Sequence, residues 1–173
     1  MSVLADPGLV LELVAQTGPN VDVGVNPGVG VVGGAIGAFL TTLVVGGIMV
    51  AVVPDYTERM MGIVLDEPVG AFVYGFIALL VVVVLAVLLA ITIIGILLAL
   101  PLALVAYVVW AVGAAIAYLA IGDRLVGHDD GWVKPLLVGA GINGALALTG
   151  IGGIVAFGIG ATGFGAVLRN WRS

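Results

Sequence analysis

The sequence contains no cysteine, one lysine, one histidine, and serine only at Ser2 and Ser173. Without cysteine there are no disulfides, no thiolate nucleophile and no Cys-ligated metal centre. Serine confined to the chain ends excludes serine proteolysis within an apolar region, which needs a buried nucleophile beside a base. Charge is also scarce. Charged residues make up 9% of the chain, against roughly a quarter of ordinary soluble domains. What fills the space is apolar: 62% of the 173 residues are hydrophobic, and mean hydropathy is +1.35. A fold in water has too few charges here to cover that much apolar surface, whereas lipid tails solvate it directly. The net charge is −5. Low lysine, excess acid and abundant Val, Ala and Gly point to a halophilic source.

Residues 1–12 have no positive n-region and no adequate apolar core, so they do not read as a signal peptide. Pro7 is placed to start a short helix through Gln16. Residues 21–31 alternate Val with small or polar residues, which is strand-like, with a turn signal at Asn26-Pro27-Gly28. A flexible tail is the alternative for this stretch. The division expected is an extracytoplasmic tail over 1–28 and a helical transmembrane domain over 29–173.

Crossing the ~30 Å hydrocarbon core takes roughly 20 apolar residues of helix. The first span is expected over 31–53, ended by Pro54 and Asp55. Residues 54–68 form a charged loop whose Met60, Met61, Ile63, Val64 and Leu65 suggest a short amphipathic helix at the membrane surface. The apolar run 69–125 is too long for one span. It divides into spans over 69–93 and 97–121 with a turn near Thr92 and Gly95, and Pro101 then lies one turn into the third helix. A second charged loop covers 122–135. The remaining apolar stretch is broken by Gly150, Gly152 and Gly153 into short halves, 132–149 and 153–168. These read as two short tilted helices or a re-entrant hairpin. The fold class expected is therefore an all-α integral membrane bundle of about five segments: three full spans and a Gly-broken short hairpin. A weak internal repeat supports the hairpin. Leu89 to Ala99 resembles Leu146 to Ala156, and both place Thr and Gly at a mid-run turn (Thr92 and Gly95; Thr149 and Gly152).

With five segments, all the basic residues fall on one side: Arg59, Arg124, Lys134, Arg169 and Arg172. Cytoplasmic segments carry the Lys/Arg excess, so the N-terminus is expected outside and the C-terminus in the cytoplasm of a multi-pass cell-membrane protein. Tyr56, Trp132 and Trp171 accompany the same charged regions, as interfacial aromatics do.

No Asp, Glu, Lys, Arg or His lies within an expected span, whereas intramembrane charge marks proton relays and coupled transporters. His128, Asp129 and Asp130 with Asp123 form a weak metal signal; a solvated loop is the better reading, and no cofactor is expected. Basic residues are too few for nucleic acid. Small residues four apart point to close helix packing: Gly30 and Gly34, Gly33 and Gly37, Gly113 and Ala117, Ala140 and Gly144, Ala161 and Gly165. That packing serves either oligomerisation or, preferably, contacts within the chain. Asn143 is the one strongly polar side chain deep in an apolar segment. It is expected to hydrogen-bond a neighbouring helix through Thr41, Thr42 or a backbone carbonyl, with pore lining as the alternative.

The order of Pro54, Y56-T-E-R-M-M61, Pro68, I91-T-I-I-G-I-L-L-A-L100, G122-D-R-L125 and K134-P-L-L137 resembles the membrane domain that follows bactofilin-like, polymer-forming β-solenoid domains in some prokaryotic proteins. The resemblance covers about residues 39–168. The solenoid itself is absent unless 21–31 is a remnant coil, and Leu97 stands where such sequences often have proline. The resemblance implies a membrane anchor or scaffold with a solenoid on the N-terminal side, and it brings no catalytic residues. The function expected is a non-enzymatic scaffold or anchor subunit acting through helix packing and its cytoplasmic loops. Its partners are the lipid bilayer and either further copies of itself or a membrane or solenoid protein. The alternative is a small channel or the membrane subunit of a multi-component transporter. A lipid-modifying enzyme ranks behind both, since only residues 123–130 cluster polar groups.

Overall fold

A computed structural model of the chain describes residues 27–149 and 151–170. Val31–Ser173 make one compact unit, separate from Met1–Gly30. Among the described residues the fold is entirely helical, with six helices: α1 (Pro27–Val52), α2 (Pro54–Asp66), α3 (Pro68–Ala90), α4 (Ile93–Val126), α5 (Val133–Ala147) and α6 (Gly152–Asn170). Four of these, α1, α3, α4 and α6, are long and apolar enough to cross a membrane. Proline opens the first three helices, at a position whose missing N–H has no intrahelical partner to lose. That explains one correction. Pro27 to Val31 are helical, so the strand expected over 21–31 does not extend there. Residues 21–26 and the helix expected from Pro7 lie outside the described residues.

The third apolar segment also begins earlier than expected. Thr92 caps α4 by accepting the Gly95 N–H at 2.9 Å, which starts the helix at Ile93 rather than Leu97. Pro101 therefore sits two turns inside α4, not one. At 34 residues, α4 is roughly 51 Å long. Gly127 ends it: its φ is +67, a backbone conformation that suits glycine, and its N–H donates to Asp123 O at 2.7 Å.

The short helix α2 is not simply laid on a surface. Thr57, Met60, Met61 and Val64, spaced on one face, are buried. Met60, Met61 and Val64 join Ile116, Leu119, Ala120 and Val167 in the main apolar cluster. Thr57 satisfies its hydroxyl by donating to Val53 O at 2.9 Å. The amphipathic pattern was legible; its apolar face meets α4 and α6.

Two hairpins follow, α3–α4 and α5–α6. Glycine contacts set their register. Gly163 of α6 meets Gly113 of α4, and Gly160 makes room for the Trp110 ring, so α6 and α4 run parallel. Gly165 meets Ala71, and Gly75 meets Ala161, so α6 and α3 run antiparallel. In that register Gly152 is level with Leu102 of α4 and Val84 of α3. The α3–α4 turn thus overshoots the α5–α6 turn by roughly 10 Å.

Candidate functional site

Two features carry what this molecule can do: the seams between helices and the charged end. The seams are backbone contacts. A Cβ built on Gly75 would stand 1.9 Å from Ala161 O, and one on Gly165 would stand 1.9 Å from Ala71 O. Likewise a Cβ on Gly163 would stand 1.9 Å from Gly113 O, and one on Gly122 would stand 2.1 Å from Pro135 O. Such approaches are open only to glycine, and they bring the helix backbones into van der Waals contact at these points. Aromatic rings fill the space beside the α3–α6 and α4–α6 seams. Trp110 lies 5.5 Å from Phe157 and 6.1 Å from Phe164, and Phe76 meets Phe157 edge-on.

The expected packing residues divide accordingly. Gly113 and Gly165 sit in seams, and a Cβ built on Gly144 would stand 3.2 Å from both Ala35 O and the Phe39 Cβ of α1. A Cβ built on Gly30, Gly33, Gly34 or Gly37 meets nothing within 4 Å, so among the described residues they pack against no other helix. The face of α1 that meets α5 is the one with Ala35, Ala38, Phe39 and Thr42, which turns these glycines away from α5. Gly75, Gly122, Gly139, Gly160 and Gly163 close seams that sequence reading passed over. The spacings of Ala71 to Gly75 and of Ala156 to Gly160 were the signals available among them.

Asn143 joins α5 to α1. Its Nδ2 donates to Thr42 Oγ1 at 2.7 Å and to Ala38 O at 3.2 Å. Thr42 is buried. Deeper in the bundle, Tyr118 buries its hydroxyl with no hydrogen-bond partner among the described residues.

The two turns share one construction. In Leu89-Ala-Ile-Thr-Ile-Ile-Gly95, Thr92 Oγ1 donates to Leu89 O at 3.2 Å. In Leu146-Ala-Leu-Thr-Gly-Ile-Gly152, Thr149 Oγ1 donates to Leu146 O at 2.9 Å. The closing glycine presses on the same carbonyl each time: a Cβ would stand 1.9 Å from Leu89 O on Gly95, and 1.5 Å from Leu146 O on Gly152.

At the opposite end of the hairpins lie Arg59, Arg124, Trp132, Lys134 and Arg169; Trp171 and Arg172 are outside the described residues. Arg169 pairs with Glu67 at 2.7 Å, and Lys134 pairs with Asp130. These exposed pairs are each worth only about 0–1 kcal/mol. His128 Nδ1 lies 2.6 Å from Asp123 Oδ1, and its ring stacks on Trp132 with centroids 4.4 Å apart. The hydrogen bond to Asp123 holds the His128 pKa above the usual imidazole value. Among the described residues no cluster of His, Asp and Glu could hold a metal ion.

Seams, turns and charged end together define, among the described residues, an all-helical fold with four helices of membrane-crossing length. Its whole length, residues 1–173, matches the family described as domain of unknown function DUF8173, and the chain belongs to that family. No curated protein and no solved structure matches it.

Proposed function

We propose that this chain is a multi-pass membrane protein that serves as a non-enzymatic scaffold or anchor, with its N-terminus outside and its charged end in the cytoplasm. The observation that carries this reading is the set of backbone seams at Gly75, Gly113, Gly122, Gly163 and Gly165. Helices in such contact have one arrangement and little room to rock, which suits holding rather than transporting. The apolar stretches of the four long helices, residues 30–52, 68–90, 94–122 and 152–168, carry no Asp, Glu, Lys, Arg or His; Asp123, Arg124 and Arg169 stand only in the last turns at the charged end, so the stretches lack the groups that relay charge. Arg59, Arg124, Lys134 and Arg169 gather at one end with Trp132, in line with the positive-inside tendency and interfacial tryptophan. The open face of Gly30, Gly33, Gly34 and Gly37 suits contact with a further copy of the chain or with a partner helix.

The first test is alkaline carbonate extraction, in which the chain stays with the membrane. A C-terminal reporter then reads as cytoplasmic, and an external signal overturns the orientation. Mild-detergent purification from native membranes recovers a stable stoichiometric partner or oligomer. Ion or solute flux through liposomes carrying the purified chain would replace the scaffold with a small channel or transporter subunit.

A further inference from the structure

A groove at the charged end, between α2, α4 and α6, encloses about 260 Å3. Its wall is apolar, formed by Leu65, Ala117, Ile121 and Ile159 among others, and two polar side chains line it, Thr162 and Arg124. The Thr162 hydroxyl is already spent, donating to Gly158 O at 2.9 Å. Arg124 is different. It has no hydrogen bond or ion pair with any described residue. Its neighbour Asp123 is committed to His128.

The groove has a direction. Ala117, Ile121 and Arg124 follow one another at helical spacing on one face of α4. Arg124 stands at the charged end, and the apolar wall descends from it. The α4–α6 register puts Ile159 level with Val109. The lining therefore extends roughly 20 Å along the bundle axis. A lone guanidinium above a long, narrow, apolar slot matches one kind of molecule: an anionic head on an extended aliphatic chain. Guanidinium is also the cation whose fork fits two oxygens of a phosphate.

We propose that this groove binds one anionic phospholipid, with the phosphate on Arg124 and an acyl chain along the wall from Leu65 to Ile159. The proposal rests on the membrane reading and deepens it. A lipid held there fills the space between α2 and the two long helices that α2 touches, and so becomes part of the scaffold at its cytoplasmic face.

The test uses the full-length chain in a nonionic detergent, titrated with phosphatidylglycerol, phosphatidylcholine or inorganic phosphate, and read by native mass spectrometry. Phosphatidylglycerol binds with a stoichiometry of one and outcompetes phosphatidylcholine. Inorganic phosphate does not compete, because the chain supplies much of the affinity. Arg124→Gln lowers affinity roughly tenfold, as loss of one charge-assisted contact requires, and Arg124→Lys falls between. Leu65→Trp, which fills the slot and leaves the arginine, abolishes the bound lipid. Circular dichroism checks that each variant keeps its helix content. Equal binding of the two lipids, indifference to Arg124→Gln, or displacement by phosphate alone overturns the proposal. Carbonate extraction of the same membranes keeps two failures apart: release overturns the membrane reading, while a retained chain that ignores lipid charge overturns only this site.

Discussion

The hairpins α3–α4 and α5–α6 turn on the same pattern, Leu-Ala-x-Thr-x-x-Gly, and then build opposite kinds of wall. Over α3, only Ala71 and Gly75 are buried, while Val81, Val84 and Leu88 stand exposed. Over α6, the whole run Gly163–Val167 is buried. The exposed stretch of α3 presents large aliphatic side chains outward; the buried stretch of α6 is mostly glycine and alanine and is pressed against α3 and α4. Turn chemistry and wall chemistry are thus independent choices. A hairpin can keep its turn while its residues change from those that meet the surroundings to those that meet other helices.

The sharpest way to break this comparison is to give the second hairpin the side chains of the first. Gly163→Val places a branched side chain where even a Cβ would be 1.9 Å from Gly113 O. The expected loss is about 3 kcal/mol or more, seen as a lower unfolding midpoint with α6 released. Val84→Ala on the exposed face of α3 changes stability by less than ~0.5 kcal/mol. If the two variants unfold together, the seams do not carry the fold.

The turns come next. Gly95→Ala and Gly152→Ala each drive a methyl into a leucine carbonyl and cost about 1–3 kcal/mol. Gly152 should be the costlier, having the closer approach. A reversed order would show that the shared pattern hides two different turns.

A smaller effect belongs to the α1 clasp. Asn143→Leu removes two interhelical hydrogen bonds and should cost about 1 kcal/mol. Cysteine cross-linking between α1 and α5 would weaken, while seams within the two hairpins keep their protection in hydrogen exchange.

The least effect lies at the charged end. His128, the one histidine in the chain, has its folded-state pKa raised chiefly by the hydrogen bond to Asp123. Its contribution to stability is therefore fully present below about pH 6.5, the unfolded value, and is lost as pH rises through the raised folded value. An NMR titration should give a midpoint above that of free histidine, and Asp123→Asn should bring it down. A midpoint unmoved by that substitution would count against the pair.

Much of the fold was legible because apolar length and proline position speak directly. Pro54 and Pro68 mark the starts of α2 and α3, and the repeat around Thr92 and Thr149 located both turns. The seams were less legible. Glycine spacing identifies a face that can be approached, not the helix that approaches it. So Gly113 and Gly165 meet partners on other helices, and Gly30, Gly33, Gly34 and Gly37 meet none among the described residues. Gly122 and Gly139 lack a close small neighbour at spacing four in a recognised pair, and only the crossing of α4 and α5 brings them together. Arg124 was read as one of several interfacial cations. That it stands over an apolar groove, with the neighbouring Asp123 already engaged by His128, is a three-dimensional fact.

The overshoot of α3–α4 past α5–α6 bears on how the chain is made. Ribosomes deliver α3 and α4 first, and the best windows of these helices have mean hydropathies of 3.1 and 2.4. The best window of α6 reaches only 1.4, and α5 is too short to qualify. In a bilayer, the first hairpin can partition unaided, while the second gains its place by docking onto a wall already standing. Biosynthetic order would then be a requirement of assembly: moving α5–α6 ahead of α3–α4 in the gene should leave the later hairpin inserted and the earlier one stranded.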